Sequence, residues 1–142
     1  MVSAEMTVSE KRMLRDAARD ASTHAYVPYS HFPVGAAIQL KDGHIVTGAN
    51  IENSSYGLSN CAERSAIFAA LSQGIKPEQF HSLMIYMPGE RLYSPCGACR
   101  QVIAEFFSAE ACVRASCDRD ELQEWTVGGL LPAAFGEFEP RS

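Results

Sequence analysis

Apolar positions Met13, Leu14, Ala17, Ala18 and Ala21 recur at helical spacing and predict an amphipathic helix over residues 8–25, with Thr7 or Ser9 as its cap. Residues 26–33 are too rich in proline and turn-formers to continue it. Residues 34–40 read as a buried strand, Lys41-Asp42-Gly43 as a turn, and residues 44–49 as a returning strand. An Asp-Gly pair between two apolar runs predicts an antiparallel hairpin. The stretch 50–60 is polar and without periodicity, so it predicts a loop; a binding loop and an ordinary solvated loop fit it equally well. An apolar helix over 61–73 follows, ended by Gly74, then a strand over 80–87 and a loop over 88–94. A second apolar helix covers 95–107. A weakly patterned strand is expected over 111–117, and a brief helix over 126–131 is stopped by Pro132.

This order of elements predicts one α/β domain over 1–142, a three-layer α/β/α arrangement whose mixed sheet opens with the hairpin. Residues 1–7 read as a lead-in and 136–142 as a tail. Hydrophobic content of 46% and charged content of 20% suit a soluble globular domain. The formal net charge of -5 and the scattered basic residues argue against gripping a phosphate backbone, and favour a small neutral or cationic substrate. There is no apolar run of bilayer length and no leader-like segment, so a cytoplasmic location is expected. The five cysteines are an odd number, which favours metal or redox chemistry over a disulfide framework.

Three of those cysteines mark helix starts. Cys96 and Cys99 have the spacing with which two thiols share a tetrahedral metal. Alone they read equally well as a redox pair, and Cys61 at the other helix start tips the balance toward metal. Three thiolates would leave zinc one open position, with Glu63 beside it to move a proton from activated water to a substrate nitrogen. A structural reading of Glu63 competes: Asn60 as N-cap with Glu63 three residues on resembles a capping box. Ser94 as cap and Pro95 at the first helical position read the same way. Arg64 and Arg100 follow the two motifs and are placed to hydrogen-bond the sulfurs and temper their charge. Cys112 and Cys117 read as buried hydrophobes. One of them as a fourth ligand would make a closed, non-catalytic zinc module, but that leaves Glu63 and the polar loop unexplained.

Cys61-Ala62-Glu63 followed by Pro95-Cys96-x-x-Cys99 resembles the signature of the zinc-dependent cytidine and deoxycytidylate deaminase family. Tyr29 through Ala37, Asn50-Ile51-Glu52-Asn53 and Leu130-Leu131-Pro132-x-x-Phe135 extend the resemblance to roughly residues 26–135, and to its short, single-domain type. The resemblance implies one zinc per subunit on Cys61, Cys96 and Cys99, with Glu63 as proton shuttle and Arg64 offsetting the thiolate charge. It also implies ribose contacts from Asn50 and Glu52, and a base pocket formed by Phe32, Phe135 and the backbone at Ala62. Tyr56 matches a residue presented to a neighbouring subunit, and such enzymes are homotetramers with shared sites. The implied reaction is hydrolytic deamination of cytidine and 2'-deoxycytidine, with release of ammonia, in pyrimidine salvage. A blasticidin S deaminase-type aminohydrolase of the same fold is the alternative, against which the Asn50-x-Glu52 pair argues. Two departures stand out: Ala49 replaces a frequent cysteine, and 112–124 departs from the family's strand-and-turn pattern and reads as trimmed.

Overall fold

The computed structural model describes residues 6–136; the remainder of the expected lead-in and tail, residues 1–5 and 137–142, lies outside the described residues. Thr7 accepts a hydrogen bond from the Glu10 amide, and Glu10 accepts one from the Thr7 amide, so a capping box opens α1 (Val8–Ser22). The helix stops short of residue 25, where the Ser22 and Thr23 hydroxyls bond back to the Arg19 and Asp20 carbonyls. Leu14, Ala18 and Ala21 are buried, but Met13 is exposed, so the apolar stripe is narrower than expected.

β1 (Gly35–Leu40) and β2 (Ile45–Ala49) form the expected antiparallel hairpin, with Gly43 at φ 95° in its turn. β3 (Phe80–Tyr86) pairs antiparallel with β1 and parallel with β4 (Cys112–Ser116). Between them runs α3 (Gly97–Phe106) as the crossover that a parallel pair requires. β5 (Leu122–Thr126) closes the sheet, giving the order β2-β1-β3-β4-β5, and α4 (Val127–Leu130) follows it. α2 (Ala62–Ser72) lies between β2 and β3 in the chain. Alternate strand residues serve two cores. Ala36, Ile38, Leu83, Ile85, Val113 and Ala115 pack with residues of α2, α3 and α4, whereas Ala37, Met84 and Tyr86 pack with Leu14 and Ala18 of α1. The three layers expected from the sequence are present.

β5 was not expected. Leu122 and Trp125 are only half-buried on this edge strand, so its polar residues hide the strand period. The segment 112–124 is therefore strand, turn and strand rather than a trimmed stretch, held further by Glu124 against the buried Arg114 guanidinium at 2.6 Å.

Two features of the sheet place the helix starts. Gly35 pairs with both Ala49 and Tyr86, so the carboxyl ends of β2 and β3 share one sheet edge. Loops leave that edge toward α2 and α3, and the 26–34 segment enters β1 there. α2 also lies very close to the sheet, because Ala62, Ala66 and Ala70 give it a smooth buried stripe. A Cβ on Gly48 of β2 would stand 2.3 Å from the Ala66 backbone nitrogen. Gly48→Ala must push away the helix that carries Cys61 and Glu63. We expect it to cost about 3 kcal/mol, the upper end for overpacking, and to lower the thermal midpoint by roughly 10 °C. A midpoint unchanged in a calorimetric scan would show that the helix gives way freely.

Candidate active site

The helix caps are not the ones expected. Cys61, not Asn60, is the N-cap of α2, and Cys96, not Ser94, is the N-cap of α3. Asn60 instead donates to the Ser65 hydroxyl at 3.2 Å, and Glu63 is turned inward at 6% exposure rather than back to the cap. Cysteine is a poor cap by propensity, and Cys61 makes no side-chain bond to the amides of its first turn, whereas Cys96 does. The Cys96 sulfur accepts from the Cys99 amide at 3.4 Å.

The two helix starts bring the sulfurs of Cys61, Cys96 and Cys99 to within 4.8 Å of one another. Cys61 and Cys96 are 3.9 Å apart. Cys112 and Cys117 stay outside the cluster, Cys117 fully buried in the core, so neither supplies the fourth ligand of a closed module. The Arg64 guanidinium donates to Cys61 Sγ at 3.4 Å, while its buried Nε has no partner among the described residues. Arg100 does not touch the sulfurs. Its three donors go to the Pro95 carbonyl, the Ser94 hydroxyl and the Leu130 carbonyl, which ties the turn before Cys96 to the end of α4. Arg100 directly follows Cys99 and so points about 100° away from it around the helix.

These contacts set the charges. Cys61 is pushed down to about 5, first by the hydrogen bond from the Cys99 thiol and then by Arg64. Cys99 is raised, foremost by the hydrogen bond to Cys61, with burial adding to it. Arg64 is held more firmly protonated by its bond to Cys61. Burial pushes Glu63 up to about 7, with the nearby Cys61 thiolate adding to it. Three converging soft donors with one guanidinium beside them fit zinc well, since thiolates suit a thiophilic, closed-shell ion.

A cavity of about 300 Å³ opens beside the sulfurs and is lined by Glu63, Cys61, Cys96, Ala62, Asn50, Glu52 and Phe32 among others. The polar loop therefore reaches the site. The Asn50 amide accepts from the Val34 amide at 2.9 Å and donates to the Phe32 carbonyl at 3.0 Å. The Glu52 Oε1 accepts from the Tyr29 and Ser30 amides at 3.1 Å each. The Ser30 hydrogen bond is the main reason its carboxyl lies below the usual range. Each side chain braces the 26–34 segment and still has bonding capacity left for a ligand.

Two sequence-expected residues do not reach this cavity within one chain. Tyr56 is 75% exposed and lies edge-on to Tyr29, beside an adjacent shallow pocket that shares Ser30 and Glu52 with the main one. Phe135 is equally exposed beyond α4, its carbonyl held by the Gln101 amide, because a turn through Ala133 (φ 54°) carries the chain along α3. Conversely, Tyr93, which the sequence did not single out, and Ser94, read only as a helix cap, both line the cavity. Their only signal was their place just before Cys96.

Known proteins resemble this chain over most of its length. Residues 8–115 match the family model described as the cytidine and deoxycytidylate deaminase zinc-binding region. The cytidine deaminase of Halalkalibacterium halodurans is 48% identical over 126 residues, covering 89% of this chain and 94% of the relative. That of Mycobacterium tuberculosis is 41% identical over 124 residues, covering 87% and 88%. The crystal structure of cytidine deaminase from Burkholderia pseudomallei superposes with a TM-score of 0.85 at 42% identity, covering 92% of this chain and 100% of that one. On the match over residues 8–115, the identity to these relatives and the shared fold, this chain belongs to the zinc-binding cytidine and deoxycytidylate deaminase family and is an enzyme of it.

Proposed function

We propose that this chain deaminates cytidine and 2'-deoxycytidine hydrolytically, giving uridine or 2'-deoxyuridine and ammonia, as a step of pyrimidine salvage in the cytoplasm. The observation that carries the reading is the single cavity that joins Glu63 and the sulfur cluster to the Asn50 and Glu52 side chains. A proton carrier next to a metal site performs hydrolysis. An amide and a carboxylate at the other side of the same space suit sugar hydroxyls.

Cys61, Cys96 and Cys99 would hold one zinc, which when bound supplies Lewis acidity for activating water. Glu63 takes a proton from the attacking water and gives it to the ring nitrogen, then helps protonate the departing amino group. Burial suits it to this task, since a carboxyl near 7 binds and releases a proton with similar ease at neutral pH. Arg64 offsets the sulfur charge through its bond to Cys61. Asn50 and Glu52 hold the ribose while bracing the segment that carries Phe32. Phe32 and the backbone at Ala62 face the base.

Tyr56 and Phe135 fit the reading as contributions to sites shared within a homotetramer. Tyr26, Ile51, Tyr56 and Leu58 are between 45% and 75% exposed around the 50–60 loop, an apolar surface suited to a second copy. No helix among the described residues is long and apolar enough to cross a membrane.

Ultraviolet-monitored turnover of cytidine, deoxycytidine, cytosine, dCMP and blasticidin S tests the reading. Both nucleosides should turn over, and cytosine should lose at least about 100-fold in kcat/KM, because the sugar-directed polar groups are then left unpaired. Preference for blasticidin S or dCMP would overturn the assignment.

A further inference from the structure

We propose that Tyr93 is a specificity-determining residue, forming with Phe32 an aromatic wall that packs the substrate's base and limits the size of its substituents. This rests on the nucleoside reading above. The two rings come from different loops, Phe32 before β1 and Tyr93 between β3 and α3, yet meet edge-to-face with centroids 6.3 Å apart and planes at 81°. Both line the cavity that contains Glu63 and Cys61, and both are left partly uncovered, at 37% and 47% exposure. Aromatic surface left open on an apolar cavity wall is a surface for a flat apolar ligand to cover.

The wall is also held in place before any ligand arrives. The Tyr93 amide donates to Met87 Sδ at 3.2 Å, and the Arg91 guanidinium lies 5.4 Å from the Tyr93 ring centroid. At the base of the loop, Asp118 accepts from the Gly89 amide and its own amide donates to the Gly89 carbonyl, each at 2.8 Å. At the other end, Arg100 pins Ser94 and Pro95, so Tyr93 is fixed relative to the cysteine that follows. With its backbone so held and its ring set against Phe32 and Arg91, Tyr93 contributes contact area at little ordering cost and resists displacement by a larger base.

The test compares Tyr93→Phe, Tyr93→Leu and Tyr93→Ala for kcat and KM on cytidine, kcat/KM on 5-iodocytidine, uridine affinity by calorimetry, and zinc content. Tyr93→Phe should match the parent within about twofold. Tyr93→Ala should raise KM and weaken uridine binding about tenfold, near the low end for loss of one base–aromatic contact. Its kcat should stay within about threefold and its zinc content should be unchanged. The ratio of kcat/KM for 5-iodocytidine to that for cytidine should rise about tenfold as the wall opens. Tyr93→Leu should lie between, with KM raised at least about threefold, and it decides the matter if the alanine variant folds poorly. Parent-like KM and selectivity in Tyr93→Leu and Tyr93→Ala would overturn the inference. So would a fall in kcat with KM unchanged, or a Tyr93→Phe variant as impaired as Tyr93→Ala. A parent enzyme inactive on cytidine would instead count against the nucleoside reading itself.

Discussion

Glu63→Gln is expected to lower kcat on cytidine by about 10⁴-fold, the upper end for removal of a general acid–base, while zinc content stays near one per chain. Glutamine keeps the size and hydrogen-bonding shape of the side chain but cannot carry a proton. The location of Glu63 makes the loss large. At 6% exposure there is almost no bulk water to substitute for it, and its pKa near 7 is tuned to the task by burial. The same burial supplies a control against simple unfolding. A carboxyl raised from 4.5 to about 7 keeps its full contribution to stability below about pH 4.5, and stability is lost as pH rises toward 7. Glutamine removes that loss, so metal-free Glu63→Gln should unfold at no lower temperature than the metal-free parent at pH 8. An active variant would return Glu63 to a purely structural role; an inactive but cooperatively folded, zinc-loaded one supports proton transfer.

That structural role was a fair reading of the sequence, and the reason it failed is instructive. Asn60 three residues before Glu63 satisfies every local rule for a capping box. The rule is overridden because Cys61 takes the cap position, a choice that local propensity does not favour but a cluster with Cys96 and Cys99 does. The hairpin, by contrast, was legible because Asp42-Gly43 encodes its own turn, and α2 because its alanines keep helical period against the sheet. β5 escaped because an edge strand buries little, leaving Leu122 and Trp125 as its only apolar marks. Tyr93 escaped because a loop residue has no period to betray it; only the three-dimensional meeting with Phe32 gives it meaning. Arg100 was placed beside the sulfurs by adjacency in sequence, and one step of helical rotation sends it to α4 instead. What a single element determines can be read along the chain; what two loops determine together cannot.

Cys99→Ala should abolish the metal site, and with it turnover. Cys99 is the fully buried member of the cluster, and its sulfur lies within 4.8 Å of the Cys61 sulfur, whose pKa it lowers most, so its loss removes a ligand and the main influence on another. Metal binding through a full thiolate and imidazole set is worth about 10–16 kcal/mol, so one ligand of the set carries roughly 3 kcal/mol or more. Affinity should fall at least about 100-fold, and zinc content after dialysis should drop from near one per chain to under about 0.1, with cytidine turnover falling in proportion. Cys117→Ala and Cys112→Ala provide the contrast. Cys117 is as buried as Cys99 and both lie in the same apolar core, so a merely structural loss of packing would affect the two alike. Metal chemistry predicts that only Cys99→Ala releases zinc. Retention of zinc by Cys99→Ala, or its release by Cys117→Ala, would mean that the ion is held by a different set of donors. The three helix-start cysteines would then have to be read again as core thiols.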